Sequence, residues 1–412
     1  MSEKILKPQI RFKGFTDAWE QRKLGDYCNI FAGGTPSTTI PEYWIDGNIN
    51  WLPSGNIQDC YINSCDIKIK ITKKGLEHSS AKMKKKDTAL LAMTGATCGK
   101  SGYLTCNSTA NQSVMAFETN KLNSKFLYYT FQKNKNLILS FQAGGAQAGI
   151  NKETCIKFEF MFPSDLEQKQ ISNLFQNLDS LITLHQRKYE KLQTLKKALL
   201  EKMFPANNDD IPQIRFKGFT DAWEQRKLGD IGKTFTGLSG KTAADFGHGE
   251  AKFLPYLNIF NNPIADISFL ESIEIDKSQN QIQYGDVFFT TSSETPEEVG
   301  MSSVWLGKST NIYLNSFCFG FRPIVEFNPY YFGYLLRSDT FRKHITILAQ
   351  GISRFNISKT KVIEIEIPLP SKDEQSKIGE LFKNLDSLIT LHQRKCEKLK
   401  NMKKALLDKM FC

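Results

Sequence analysis

PQIRFKGFTDAWEQRKLGD, residues 8–26, occurs again without a change at residues 212–230. A second string, LFQNLDSLITLHQRKYEKLQTLKKALLEKMF at 174–204, returns as LFKNLDSLITLHQRKCEKLKNMKKALLDKMF at 381–411, with 25 of 31 positions identical. The stretches between them, 27–163 and 231–370, are 137 and 140 residues long and share little identity. The layout is constant, variable, constant, twice over. A solenoid repeats every ~20–50 residues, whereas one period here is about half the chain. Near-identical frames around divergent inserts imply two equivalent modules that do one job on two different targets.

The repeated 31-residue string reads as a long helix, free of Gly and Pro from 171 to 204. Leu174, Leu178, Leu181, His185, Lys188, Leu192, Leu195 and Leu199 recur at alternating spacings of four and three, and Ile182, Tyr189 and Met203 widen the stripe. That is a coiled-coil seam with a weak middle. The second copy offers Leu381, Leu385, Leu388, His392, Leu399 and Leu406. Ser164 with Glu167, and Ser371 with Glu374, have capping-box spacing. At ~1.5 Å per residue the helix is roughly 50 Å long. Such a helix cannot bury its stripe alone, so the two copies are expected to pair, antiparallel if a two-fold relates the modules. The expected divisions are 1–163, a helix 164–204, a linker 205–211, 212–370 and a helix 371–412.

The inserts read as mixed α/β. Residues 155–162 and 362–369 alternate like strands, 88–93 and 286–291 look like buried strands, and 125–132 and 330–337 look like short helices. The expected fold is two tandem α/β (α+β) domains with pseudo-two-fold symmetry, separated by two long antiparallel coiled-coil helices.

The chain has 412 residues, 54 Lys and Arg against 43 Asp and Glu, a net charge of +11 and a pI near 9.0. A hydrophobic content of 40 % with 30 Phe is too apolar for a disordered chain. No run approaches the ~18–20 apolar residues of a membrane span. The first residues lack the apolar core of a secretory signal, so a cytoplasmic protein is expected. Nine cysteines with no C-x-x-C pair suggest neither a disulfide framework nor a zinc ribbon. The basic excess favours a polyanionic partner. It is unevenly spread: 27–163 carries +6 and 231–370 carries −2. If both inserts grip a polyanion, the second relies less on charge attraction and depends less on salt.

Catalytic motifs are weak. Residues 94–101, TGATCGKS, resemble a phosphate-binding loop, but a strand-like GYLTC follows where that loop needs a helix. Asn328-Pro329-Tyr330-Tyr331 lacks the second proline of a methyltransferase site, and Asp66-Ile67-Lys68 is an isolated nuclease-like triplet. The five histidines are scattered, and His185 and His392 fall on the helix seam. No metal site or catalytic set can be assembled, so the chain reads as a binder without a cofactor of its own.

Specific strings then narrow the reading. GGTPS at 33–37, EYW at 42–44 and WLPSGNI at 51–57 resemble the opening of a target-recognition domain of type I restriction-modification specificity subunits. TGATCGK at 94–100, GGAQAGINK at 144–152 and QGISRFNI at 350–357 are similar to later loops of that domain. Pro163-Ser164 with Glu167-Gln168, and Pro370-Ser371 with Glu374-Gln375, resemble its two conserved regions. The second insert departs by replacing the Gly-Gly-Thr-Pro opening with TGLSGKT at 236–242. The resemblance implies a non-catalytic subunit that binds double-stranded DNA at a two-part asymmetric target, one half per domain, with the helices setting the gap. It implies docking of two methyltransferase subunits and of restriction subunits, which would bring S-adenosylmethionine, ATP and Mg. A methylation-only system, an autonomous two-reader DNA-binding regulator and a coiled-coil protein adaptor remain as alternatives.

Base readout needs directed donors and acceptors on loops held by a rigid scaffold. In the first insert Thr35, Ser37, Thr94, Lys100, Gln142, Gln147 and Asn151 qualify. In the second, Lys241, Thr242, Ser292, Ser293, Arg354 and Asn356 do. Lys82, Lys84, Lys85 and Lys86 form a basic run suited to phosphates. Turn chemistry, or a solvated face for the lysines, is an even alternative for each. Trp44 and Trp51 read as core.

Overall fold

The structure, a computed structural model, describes residues 7–142, 149–206 and 209–412. It divides into two units, Met1–His185 with Lys395–Cys412, and Gln186–Arg394. Each unit therefore holds one variable insert, the start of one long helix and the end of the other.

The invariant 19-residue string joins these parts inside each unit. In unit 1, Glu20–Lys23 pairs antiparallel with Glu159–Phe162. Trp19 is buried edge-on against Phe126 and Phe411, and Ile10 N–H donates to the Lys409 carbonyl. Arg11 donates to both carboxylate oxygens of Glu167, from Nε at 2.6 Å and Nη2 at 2.8 Å. Unit 2 repeats this with equivalent residues. Glu224–Lys227 pairs with Glu366–Leu369, Trp223 packs on Phe204, and Arg215 holds Glu374 at 2.7 and 2.9 Å. The string meets the repeated helix ends and the repeated glutamates in the same way in both units, while its strand pairs with insert residues that differ, EFMF at 159–162 and EIPL at 366–369. The capping-box expectation holds only in part: Ser371 Oγ accepts from Glu374 N–H at 3.4 Å, but the Glu167 and Glu374 side chains turn to the arginines. The glutamines beside them tie insert to helix. Gln168 accepts from Asn123 N–H and donates to Pro163 O, as Gln375 does with Asn328 and Pro370.

The long helices run Asp165–Lys202 and Lys372–Met410. In unit 1, Phe175 lies by Phe411, Asp179 bonds Lys403 at 2.7 Å, and the Ile182 carbonyl faces Cys396 Sγ. One number rises as the other falls, so these segments are antiparallel. In unit 2, Phe204 stacks on Phe382 and Lys196 bonds Asp386 at 2.5 Å, again antiparallel. The seam is Ile171, Phe175, Leu178, Ile182, His185, Tyr189, Leu192, Lys196, Leu199 and Met203, all buried or half-buried; the second helix matches it from Ile378 to Met410. This corrects half of the expected register. Leu178, His185, Leu192, Leu199, Leu385, His392, Leu399 and Leu406 stand on the seam, and Leu174 and Leu381 flank it half-buried. Leu181 and Leu388, each 43 % exposed, face out, as does Leu195. Taking Leu181, Lys188 and Leu195 for the seam in place of Ile182, Tyr189 and Lys196 sets one row a residue too early, and Lys188 is exposed. The long side chains of Tyr189 and Lys196 bury their stems and keep polar tips bonded.

Within unit 1 a five-stranded sheet runs in the order Asn29–Ala32, Val114–Glu118, Thr88–Ala92, Ser101–Leu104, Cys60–Ile62. Ala89, Leu91 and Met93 pack on one face under the helix Ser124–Lys133, and Leu90 and Ala92 pack on the other. A strand covered on both sides reads as an unbroken apolar run, which is why 88–93 was recognisable. Unit 2 has a four-stranded sheet, Gly232–Thr236, Cys318–Pro323, Val287–Thr290, Ser302–Val304, packed on the helix Pro329–Leu335. The strands expected at 155–162 and 362–369 are shorter. Their first halves lie in or just after the helices Lys152–Lys157 and Lys359–Val362, with strand only at Glu159–Phe162 and Glu366–Leu369.

Candidate nucleic-acid interface

Register places Ala32, Ala92, Ser101 and Val114 at one end of the unit 1 sheet. The loops leaving that end converge. Thr35 Oγ1 donates to Gln112 Oε1 at 2.6 Å, and Thr94 Oγ1 to Ser113 Oγ at 2.8 Å. Lys100 Nζ donates to Gln58, and Thr97 to the Ser54 carbonyl. Ser37 is exposed and bonds Thr39. Gly99 sits at φ +77, a backbone conformation that favours glycine, and lets the Lys100 turn close against Leu139 of the helix Lys135–Ser140. Gln142 lies exposed just beyond it. Asn151 caps the helix Lys152–Lys157 by accepting from Thr154 N–H at 2.8 Å, so turn chemistry accounts for its side chain. Gln147 lies outside the described residues. Gln58 and Gln112 belong to this cluster and were missed. The run Asn111-Gln112-Ser113, polar between two apolar strands, was the available signal. Trp51 is core, donating to the Gly34 carbonyl, with Trp44 edge-on to it.

The lysine run does not join this cluster. Lys85 and Lys86 precede Thr88, at the opposite end of the sheet, where their backbone amides bond Glu118 and Asn107. Five strand residues, roughly 17 Å, intervene. Lys82, Lys85 and Lys86 are exposed, but Lys84 is 0 % exposed, a correction to its role as a phosphate contact. Its Nζ sits 4.3 Å from the centre of the Phe31 ring and has no hydrogen-bond partner among the described residues. Burial pushes its pKa down to about 8, against ~10.4 for a free lysine. The unfolded chain then binds the extra proton between those values, so the penalty is full below pH ~8 and fades toward ~10.4. Lys84→Met is expected to stabilise the protein by up to about 3 kcal/mol at pH 7, with a smaller gain at pH 10. Thermal melts at both pH values check this; a gain that grew with pH would contradict it.

Unit 2 builds the same cluster with other side chains. Met93 N–H donates to Ser113 O and Ile150 N–H to Met93 O; correspondingly Thr291 N–H donates to Phe317 O and Ile357 N–H to Thr291 O. Asn111 and Asn315 each accept from the amide two residues on. Among the candidates, Lys241 is held 2.8 Å from Asp276 and 3.7 Å from Asp245, and Thr242 is bonded to Asp245. Ser292 and Ser293 are buried in a short strand pairing with Phe355–Asn356, which corrects their assignment as exposed readers. Small polar residues pass for loop in a sequence even where they close a strand pair. Asn356 exchanges backbone bonds with Gln350, closing the loop that carries Arg354. Arg354 is exposed, with no side-chain hydrogen bond or ion pair among the described residues.

The family model described as the type I restriction modification DNA specificity domain matches residues 16–194 and again 220–401. The chain belongs to this family. Each specificity domain spans one variable insert and most of one long helix. Relatives include the type I restriction enzyme MjaVIII specificity subunit of Methanocaldococcus jannaschii, 22 % identical across 95 % of this chain and 91 % of that protein. The EcoR124I/EcoR124II specificity subunit of Escherichia coli is 24 % identical across 43 % of this chain and 47 % of its own. The crystal structure of a type I restriction-modification S subunit from M. genitalium superposes with a TM-score of 0.57 at 16 % identity, covering 98 % of this chain and 99 % of that one, which shows a shared fold. Among the described residues no helix of this specificity-domain protein is long and apolar enough to cross a membrane.

Proposed function

We propose that the chain is the DNA sequence-specificity subunit of a type I restriction-modification complex, binding a two-part asymmetric target with one half per specificity domain. The observation that carries this is the contrast inside the duplicated domain. The frames agree down to the Arg11–Glu167 and Arg215–Glu374 pairs, while the loop clusters share backbone bonds and differ in exposed side chains. A constant frame presenting different loops is what two readers of different sequences require. The subunit performs no chemistry. Two methyltransferase subunits supply S-adenosylmethionine and modify adenine, restriction subunits supply ATP-dependent cleavage with Mg, and the assembly works in the cytoplasm.

Methylation mapping in cells carrying the chain with its methyltransferase should reveal modified adenines in a two-part motif; absence of any motif would remove the reading. Gel shifts at fixed salt separate it from an autonomous regulator, which would bind specifically without the methyltransferase. The long helices act as the spacer. Adding one heptad to each, within 171–204 and 378–411, is expected to lengthen the gap and keep both half-sequences. An unchanged gap would refute the spacer role.

A further inference from the structure

Phe317 occupies in unit 2 the place that Ser113 holds in unit 1, as the paired backbone bonds through Met93 and Thr291 show. Ser113 is tied to Thr94, whereas Phe317 is 60 % exposed. The peptide of Phe317 is held on both sides, its N–H by Asn315 Oδ1 and its carbonyl by Thr291 N–H and Oγ1. A fixed backbone carrying an outward aromatic ring departs from the usual preference for burying such a ring. Thr291 also accepts from Ile357 N–H, so the 350–356 loop lies on its other side. The two loops are therefore about two strand spacings apart, roughly 10 Å. That second loop exposes Ile352, at 98 %, and Arg354.

The charge around this edge is unfavourable for gripping phosphates. Glu294, Glu297 and Glu298 are exposed directly after Ser293, and Lys241 is engaged by Asp276 and Asp245. Arg337 and Arg342 spend their donors on backbone carbonyls. Among the described residues, the two loops at this edge offer a duplex the Phe317 ring, the Ile352 side chain and the Arg354 guanidinium, with Lys359 and Lys361 exposed beyond them. A ring pressed against a base step gains contact without charge, and a guanidinium reads a guanine edge with two bonds.

We propose that Phe317 is an apolar wedge against a base step of the second half-site, and that Arg354 beside it reads a guanine there. This rests on the specificity-subunit function above. The test uses the full chain with its methyltransferase subunits and duplexes of the mapped motif, with 2-aminopurine replacing each second-half purine in turn. Wild-type complex should brighten the probe at one step, and Phe317→Trp should keep that signal. Phe317→Ala and Phe317→Ser should lose it, with specific affinity falling roughly 10- to 100-fold and the salt slope unchanged. Arg354→Lys, which keeps the charge but loses the fork, should relax selection at one base pair by about 10-fold. Unaltered brightening and affinity in Phe317→Ala would overturn the wedge, as would loss of methyltransferase binding without DNA, which would make Phe317 a protein contact. Unchanged base selection by Arg354→Lys would overturn the guanine assignment. A wild-type complex with no two-part motif would instead mean that the specificity reading itself had failed.

Discussion

Arg11→Ala will destabilise unit 1 by about 3–5 kcal/mol, and Arg215→Ala will do the same to unit 2. Glu167 is 0 % exposed and gives both carboxylate oxygens to Arg11. Removing the arginine leaves a buried carboxylate with its main partner gone, which costs far more than the pair contributes while intact. Glu167→Gln should lose less, because the amide needs no counter-charge. Leucine at both positions should recover most of the loss. Hydrogen exchange over 165–185 localises the effect of Arg11→Ala to unit 1, where a global melt would blur two units. An unchanged exchange rate and melting midpoint would show that the pair is dispensable.

A chain ending at Pro205 is expected to form a stable dimer. Unit 1 is completed by Leu399, Lys403, Leu406, Leu407, Met410 and Phe411. The fragment carries identical residues at the equivalent positions, Leu192, Lys196, Leu199, Leu200, Met203 and Phe204. Each copy can therefore lend its helix end to the other, with Lys196 replacing Lys403 on Asp179 and Phe204 replacing Phe411 between Trp19 and Phe175. The exposed alternative leaves these aromatic and aliphatic groups in water, at ~1.5–3 kcal/mol for each large side chain. Light scattering should give twice the fragment mass, and Phe204→Ala should shift the equilibrium toward monomer. A monomer at micromolar concentration would show that the repeated helix ends are not interchangeable.

Much of this architecture was legible because repetition needs no structural model to be seen. The helices Ser124–Lys133 and Pro329–Leu335 and the buried strands followed from apolar periodicity. The seam was legible only in part. Leu181 and Leu388 are as hydrophobic as Ile182 and Ile389, and one residue of rotation, about 100°, separates facing in from facing out. Lys196 and Lys403 stand on the seam because Asp386 and Asp179 meet them there, pairings made by residues distant in the chain.

The candidate interface divides the same way. The loops at 33–37, 94–100 and 350–356 were visible as strings, and the structure brings Thr35, Thr94 and Lys100 to one sheet end. It places the lysine run at the other end, buries Lys84, and spends Asn151 and Thr242 on caps. Phe317 went unnoticed, since one phenylalanine among 30 carries no mark of exposure in a sequence.

By itself the sequence determined the duplication, the long helices and the two-reader logic, because those reside in covalent order and local periodicity. Tertiary structure alone decided which side chains are spent inside the fold and which are left to bind. That choice turns on burial and on partners supplied across long separations, as with Arg11 and Glu167. A lysine buried over a ring and a phenylalanine held out in solvent reverse what composition suggests, because the neighbours that bury one and pin the other come together only when the chain folds.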